Sequence, residues 1–126
     1  IGLRISLVDL YDRYRKPLMI VENGLGAIDE KGEDGIVHDD YRIDYLRDYI
    51  YNLGLAIEDG VEVMGFNPWS FTDLLSTGNG MAKRYGLVFV NTTDDDVRDL
   101  KRYKKKSYNW MKEVIATNGE ILFQDK

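Results

Sequence analysis

The chain predicts an α/β fold built on parallel strands. Two amphipathic helical stripes alternate with two short apolar runs, in the order helix, strand, loop, helix, strand. That order calls for neighbouring parallel strands joined by a right-handed crossover, because a helix-length connection returns the chain to the same end of the sheet.

The first stripe is Leu3, Leu7, Leu10 and Tyr14, spaced by steps of four, three and four, which predicts one buried helical face. The chain is already inside this helix at Ile1, so it is expected to begin mid-architecture. Arg15-Lys16-Pro17 ends it, since proline cannot continue a helix interior, and Leu18 to Val21 reads as a strand. The segment 23–39 holds four glycines among many acids without periodicity and is expected to be a long surface loop. His38-Asp39-Asp40 opens the second helix, with Asp39 or Asp40 placed to cap its free N–H groups. Its stripe is Ile43, Leu46, Ile50, Leu53 and Ile57, and Asp59-Gly60 stops it. Val61 to Phe66 reads as the second strand, delivering Asn67, Pro68, Trp69 and Ser70 at its C-terminal end. A polar loop over 73–80 and a further β-branched run, Leu87 to Val90, come next. A basic stretch, Lys101 to Lys106, leads into a last helix with Ser107, Met111 and Val114 on one face beside Trp110 and Ile115, closed by Asn118-Gly119.

Composition narrows the function. The 126 residues are 44% apolar, enough for a core, and carry 17 basic against 22 acidic side chains for a net charge of -5. That balance disfavours a general polyanion binder, so no nucleic-acid partner is expected and any anion site must be local. The basic stretch at 101–106 is read as a solvated helix start, since Asp94-Asp95-Asp96 and Asp99 lie immediately before it. There is no cysteine and one histidine, His38, which argues against a thiolate or histidine-rich metal site; no cofactor is expected. No apolar run approaches the ~20 residues that span a bilayer, no signal peptide opens the chain, and a cytoplasmic location is expected.

Glu22 is the first residue with a chemical reading. It follows the apolar run Leu18-Met19-Ile20-Val21 and precedes Asn23-Gly24, and barrel enzymes keep their catalytic groups at strand C-termini. Val21-Glu22-Asn23-Gly24 resembles the nucleophile motif of glycoside hydrolase family 1. Pro68-Trp69-Ser70, Asp73 and the run Lys83 to Val90 resemble the last barrel strand of that family and its loop. Asp40 to Leu46 extends the likeness to the helix between the strands, so that residues from about Gly2 to about Leu122 look like the C-terminal quarter of a bacterial 6-phospho-β-glucosidase. The resemblance implies about the last two βα units of a (β/α)8 TIM barrel, with residues 1–126 one segment of a single catalytic domain.

It also implies a chemistry. Glu22 would be the nucleophile of a retaining glycosidase, whose two carboxyl groups lie about 5–5.5 Å apart. Trp69, otherwise a core aromatic, would be the platform beneath the sugar ring. Ser76 stands where simple β-glucosidases of the family carry a glutamate, which would repel a phosphate dianion; a hydroxyl can donate to one. Ser76, Lys83 and Tyr85 match the pattern Ser-x6-Lys-x-Tyr by which the phospho-glycosidase members hold a 6-phosphate. Arg84 should point away from Lys83 and Tyr85 if the segment is extended, because side chains there alternate. Thr77, where phospho-galactosidase members tend to carry tryptophan, favours a gluco-configured substrate.

The expected partner is therefore a phosphorylated β-glucoside. The family's acid/base glutamate, in an Asn-Glu-Pro motif, has no counterpart here: the only prolines are Pro17 and Pro68, and neither follows a glutamate. The chain alone is accordingly expected to lack normal turnover, and its unpaired strand edges offer a route to self-association. The alternative is a non-catalytic sugar-phosphate-binding or assembly module using Ser76, Lys83 and Tyr85.

Overall fold

The structure, a computed structural model, describes residues 1–123; the end of the expected 1–126 segment lies outside the described residues. Helix α1 (Gly2–Tyr14) leads into β1 (Leu18–Asn23), α2 (Asp40–Glu58) and β2 (Val63–Pro68). Short strands β3 (Val88–Val90) and β4 (Arg102–Lys104) precede α3 (Lys106–Ala116) and a 3-10 turn, Glu120–Phe123. β1 and β2 pair in parallel, as the helix-strand alternation predicts, while β3 and β4 form a separate antiparallel pair.

Two apolar clusters hold the helices to the parallel pair. Leu7 of α1 packs with Leu53, Ala56 and Val61, against Leu18, Ile20 and Phe66 of the strands. Leu46, Leu87, Met111 and Val114 form the second, joined by Ile50, Tyr108 and Trp110; Phe66 touches both. Each buried aliphatic side chain of this kind contributes about 1.5–3 kcal/mol.

Several expectations need correction. The buried face of α1 is Leu3, Leu7, Val8 and Tyr11, whereas Leu10 and Tyr14 are exposed: the helix is rotated so that the i, i+4 row Leu3, Leu7, Tyr11 meets α2. On α2, Ile57 is exposed and Ala56 takes the inward place at the last turn. The second strand runs two residues later than the apolar run suggests, beginning at Val63, because Leu18 N–H bonds the Glu62 carbonyl and sets the register there. Asp39 stands at the N-cap of α2 without capping it. Its carboxylate is instead taken by the start of α3, accepting the Ser107 N–H at 2.9 Å and the Ser107 hydroxyl, and by Arg42. The basic stretch at 101–106 is not one solvated helix start: Arg102–Lys104 pairs with β3, Lys105 is fully buried, and only Lys106 begins the helix. Asn118-Gly119 does close α3, with Gly119 N–H on the Val114 carbonyl at 2.8 Å, Asn118 N–H on Ile115 and both residues at positive φ.

Candidate functional site

The C-terminal ends of β1 and β2 lie side by side. Asn23 pairs with Pro68, and the Trp69 N–H continues the ladder to the Asn23 carbonyl at 2.7 Å. Glu22 and Trp69 therefore emerge from the same end of neighbouring strands. Both are exposed, Trp69 at 41%. The register slips between Ile20 and Asn23, where β1 carries one more residue than β2. Strict alternation fails there, so Val21 and Glu22 are both exposed while Asn23 turns inward. A bulge of this kind re-aims one side chain, here the carboxylate at the strand mouth. On α2, burial, then the Tyr49 hydroxyl, push the Tyr45 phenol up to about 12.

The glycines after Glu22 make room for the rest of the site. A Cβ on Gly24 would lie 1.6 Å from the Trp69 carbonyl oxygen, so only glycine lets the backbone reach Trp69 so closely. A Cβ on Gly26 would lie 2.5 Å from Tyr85 Cε1 and 2.6 Å from Lys83 Cε, which means that these two side chains converge above Gly26. Ala27 then pairs with Arg84 through two backbone bonds, Ala27 N–H to the Arg84 carbonyl at 2.9 Å and Arg84 N–H to the Ala27 carbonyl at 2.7 Å. The Ser70 N–H reaches the Tyr85 carbonyl at 3.2 Å. The segment after β1, the segment after β2 and residues 83–86 are thus stitched into one surface.

Ser76 joins Lys83 and Tyr85 on it. Reciprocal backbone bonds between Ser76 and Gly80, 2.9 and 3.0 Å, close the turn 76–80, and the Asp94 carboxylate accepts the Met81 N–H at 2.6 Å just after it. The Lys83 ammonium lies 5.5 Å from the Tyr85 ring centroid. Hydrogen bonding to the Ser76 side chain, then to Lys83, holds the Tyr85 phenol below the ordinary tyrosine value. One ammonium and two hydroxyls thus share one small patch, a donor set suited to an oxyanion.

Arg84 points the other way, as alternation predicts. It is buried, with Nη1 on Asp73 at 3.0 Å and on the Val90 carbonyl at 2.9 Å, and Nη2 on the Thr92 carbonyl at 2.6 Å. His38 is exposed and bonded to Asp34 at 2.8 Å, and among the described residues no cluster of acidic, histidine or cysteine side chains could hold a metal. Trp110 is half-buried in the second apolar cluster, a packing role. No local sequence pattern links Asp29, Asp73 and Lys105, because Lys105 bonds the two acids across separations of 76 and 32 residues.

No helix among the described residues is long and apolar enough to cross a membrane. The chain is 56% identical over 126 residues to a 6-phospho-beta-glucosidase of Clostridium longisporum, covering 96% of this chain and 27% of that protein. It is 54% identical to a phospho-cellobiase of Klebsiella oxytoca, covering 97% of this chain and 26% of that one. It thus spans about a quarter of the length of the curated relatives it matches. Among solved structures, the family 1 b-glucosidase from Thermotoga maritima superposes with a TM-score of 0.86 at 36% identity, over 94% of this chain and 26% of that one. The fold is therefore an α/β arc of a TIM barrel, two βα units without a closed barrel. The model for glycosyl hydrolase family 1 matches residues 1–120, and the chain belongs to that family.

Proposed function

We propose that this segment supplies the nucleophile and the phosphate-binding half of a cytoplasmic, retaining 6-phospho-β-glucosidase. The observation that carries this reading is the convergence of Ser76, Lys83 and Tyr85 beside the strand mouth that presents Glu22 and Trp69. The 6-phospho-beta-glucosidase and phospho-cellobiase relatives support it.

The chemistry follows from the arrangement. The sugar's apolar face lies on the Trp69 indole, its 6-phosphate among Ser76, Lys83 and Tyr85, and its anomeric carbon faces Glu22. A Glu22 carboxylate oxygen attacks that carbon as the bond to the leaving oxygen breaks. A carboxylic acid from residues outside this segment gives its proton to that oxygen. Water, deprotonated by the same group, then cleaves the glycosyl ester on Glu22 and releases the sugar with retained configuration. With that second carboxyl supplied from elsewhere, the 126-residue chain by itself has no normal turnover.

The nucleophile is tested in a chimaera in which this chain replaces the matching segment of the Clostridium longisporum relative. A 6-phospho-2-deoxy-2-fluoro-β-glucoside with a good leaving group should leave a trapped glycosyl ester, and peptide mass mapping should place it on Glu22. A label on another carboxylate overturns the assignment.

A further inference from the structure

Behind the Lys83–Tyr85 segment lies a cluster of buried ionisable side chains that the proposed chemistry does not use: Asp29, Asp39 and Asp73 with Arg42, Arg84 and Lys105. Three acids face three bases, so the cluster is formally neutral. Arg42 bonds Asp29 at 3.0 Å and also Asp39, Lys105 bonds Asp29 and, at 2.7 Å, Asp73, and Arg84 bonds Asp73 at 3.0 Å. Tyr41 donates its hydroxyl to Asp29.

Its bonds land on both sides of one residue. Arg42 Nη2 donates to the Arg84 carbonyl at 3.0 Å, and Asp73 Oδ1 accepts the Gly86 N–H at 3.0 Å. Charged side chains thus hold the peptide groups before and after Tyr85. The Arg84 guanidinium lies 4.2 Å from the Phe89 ring centroid, which fixes its plane. Asp29 belongs to the same loop as Gly26, over which Lys83 and Tyr85 meet. The floor and the wall of the patch are therefore anchored in one ionic core. Apolar side chains of similar volume often stabilise a fold as well as buried ion pairs do. What the ions add here is direction, because hydrogen bonds act only over a narrow range of length and angle.

We propose that this cluster, centred on Arg84, is a positioning clamp: by holding the backbone on both sides of Tyr85 it sets the Lys83–Tyr85 segment against the Ser76 turn at the spacing that separates a phosphate-bearing glycoside from its neutral counterpart. The inference rests on reading those three residues as phosphate partners. Arg84 and Asp73 are then positioning residues for specificity.

The test is the ratio of kcat/KM for p-nitrophenyl 6-phospho-β-glucoside over p-nitrophenyl β-glucoside in the chimaera. R84K keeps the charge and loses the planar fork, and it should lower that ratio by about tenfold or more. The loss should lie in KM for the phosphorylated substrate, with kcat within about twofold of the parent. D73N, which keeps the shape and the acceptor for Gly86, should act in the same direction and carries the test if R84K does not fold. A folded variant with the parental ratio, or one that loses activity equally on both substrates, overturns the clamp. A parent chimaera with no preference for the phosphorylated substrate overturns the phosphate reading itself, and the clamp with it.

Discussion

At the scale of single residues, the site depends on what is missing from the backbone as much as on what projects from it. Gly24 brings the segment after β1 against Trp69, and Gly26 lies under Lys83 and Tyr85. Gly24→Ala drives a methyl group into the Trp69 carbonyl and should destabilise the fold by about 1–3 kcal/mol, read as a lower urea midpoint. Lys83 offers the patch its formal positive charge, and K83M in the chimaera should raise KM for the phosphorylated substrate by about 10–100-fold while leaving the neutral substrate unaffected. Glu22, Trp69, Ser76, Lys83 and Tyr85 stand out in the sequence because each sits in a short run of recognisable spacing, and the structure brings Lys83 and Tyr85 together over Gly26. The exposure of Glu22 is not fully legible there: it comes from a register slip in β1, which depends on where β2 pairs.

At the scale of elements, the helices were easiest to read and their ends hardest. The i, i+3, i+4 apolar rows located α2 and α3 because burial of one face is written locally. Asp39 shows why the ends misled: it has the right residue type and place to cap α2, yet its carboxylate serves α3 across a separation of 68 residues. Capping preference names a residue and cannot say which helix it caps. Asp39→Ala takes one of the two carboxylates from buried Arg42, leaves the ionic cluster with an uncompensated positive charge and strips the Ser107 N–H of its partner, so a loss of about 3–5 kcal/mol is expected in chemical denaturation. β4 has no local signal for a related reason. Arg102, Tyr103 and Lys104 are strand only because β3 lies opposite them. Tyr45 adds a pH signature to α2. Its phenol pKa, about 12, lies above the ordinary 10.0, so the unfolded chain loses its proton first and stability should fall between about pH 10 and 12. Tyr45→Phe should fall less steeply there in urea titrations compared at pH 9 and pH 11.

At the scale of the whole molecule, the chain is an arc of a larger architecture, with the proposed site at the C-terminal ends of its two parallel strands. The parallel pair turns Leu18, Ile20 and Phe66 toward the helices and leaves Met19, Val21 and Met64 exposed on its other face. The order of elements was enough to give the parallel pairing, because helix-length crossovers leave little other choice. The ionic core was not legible, since its members come from loop, helix and strand ends brought together only by the fold. The central claim is that this arc selects a phosphorylated sugar, and steady-state kinetics of the chimaera on the paired 6-phosphorylated and unphosphorylated p-nitrophenyl β-glucosides tests it most directly. Charge-assisted donors at Lys83, Ser76 and Tyr85 should give a kcat/KM ratio above about 100 in favour of the phosphorylated substrate; a ratio at or below about one would contradict the account.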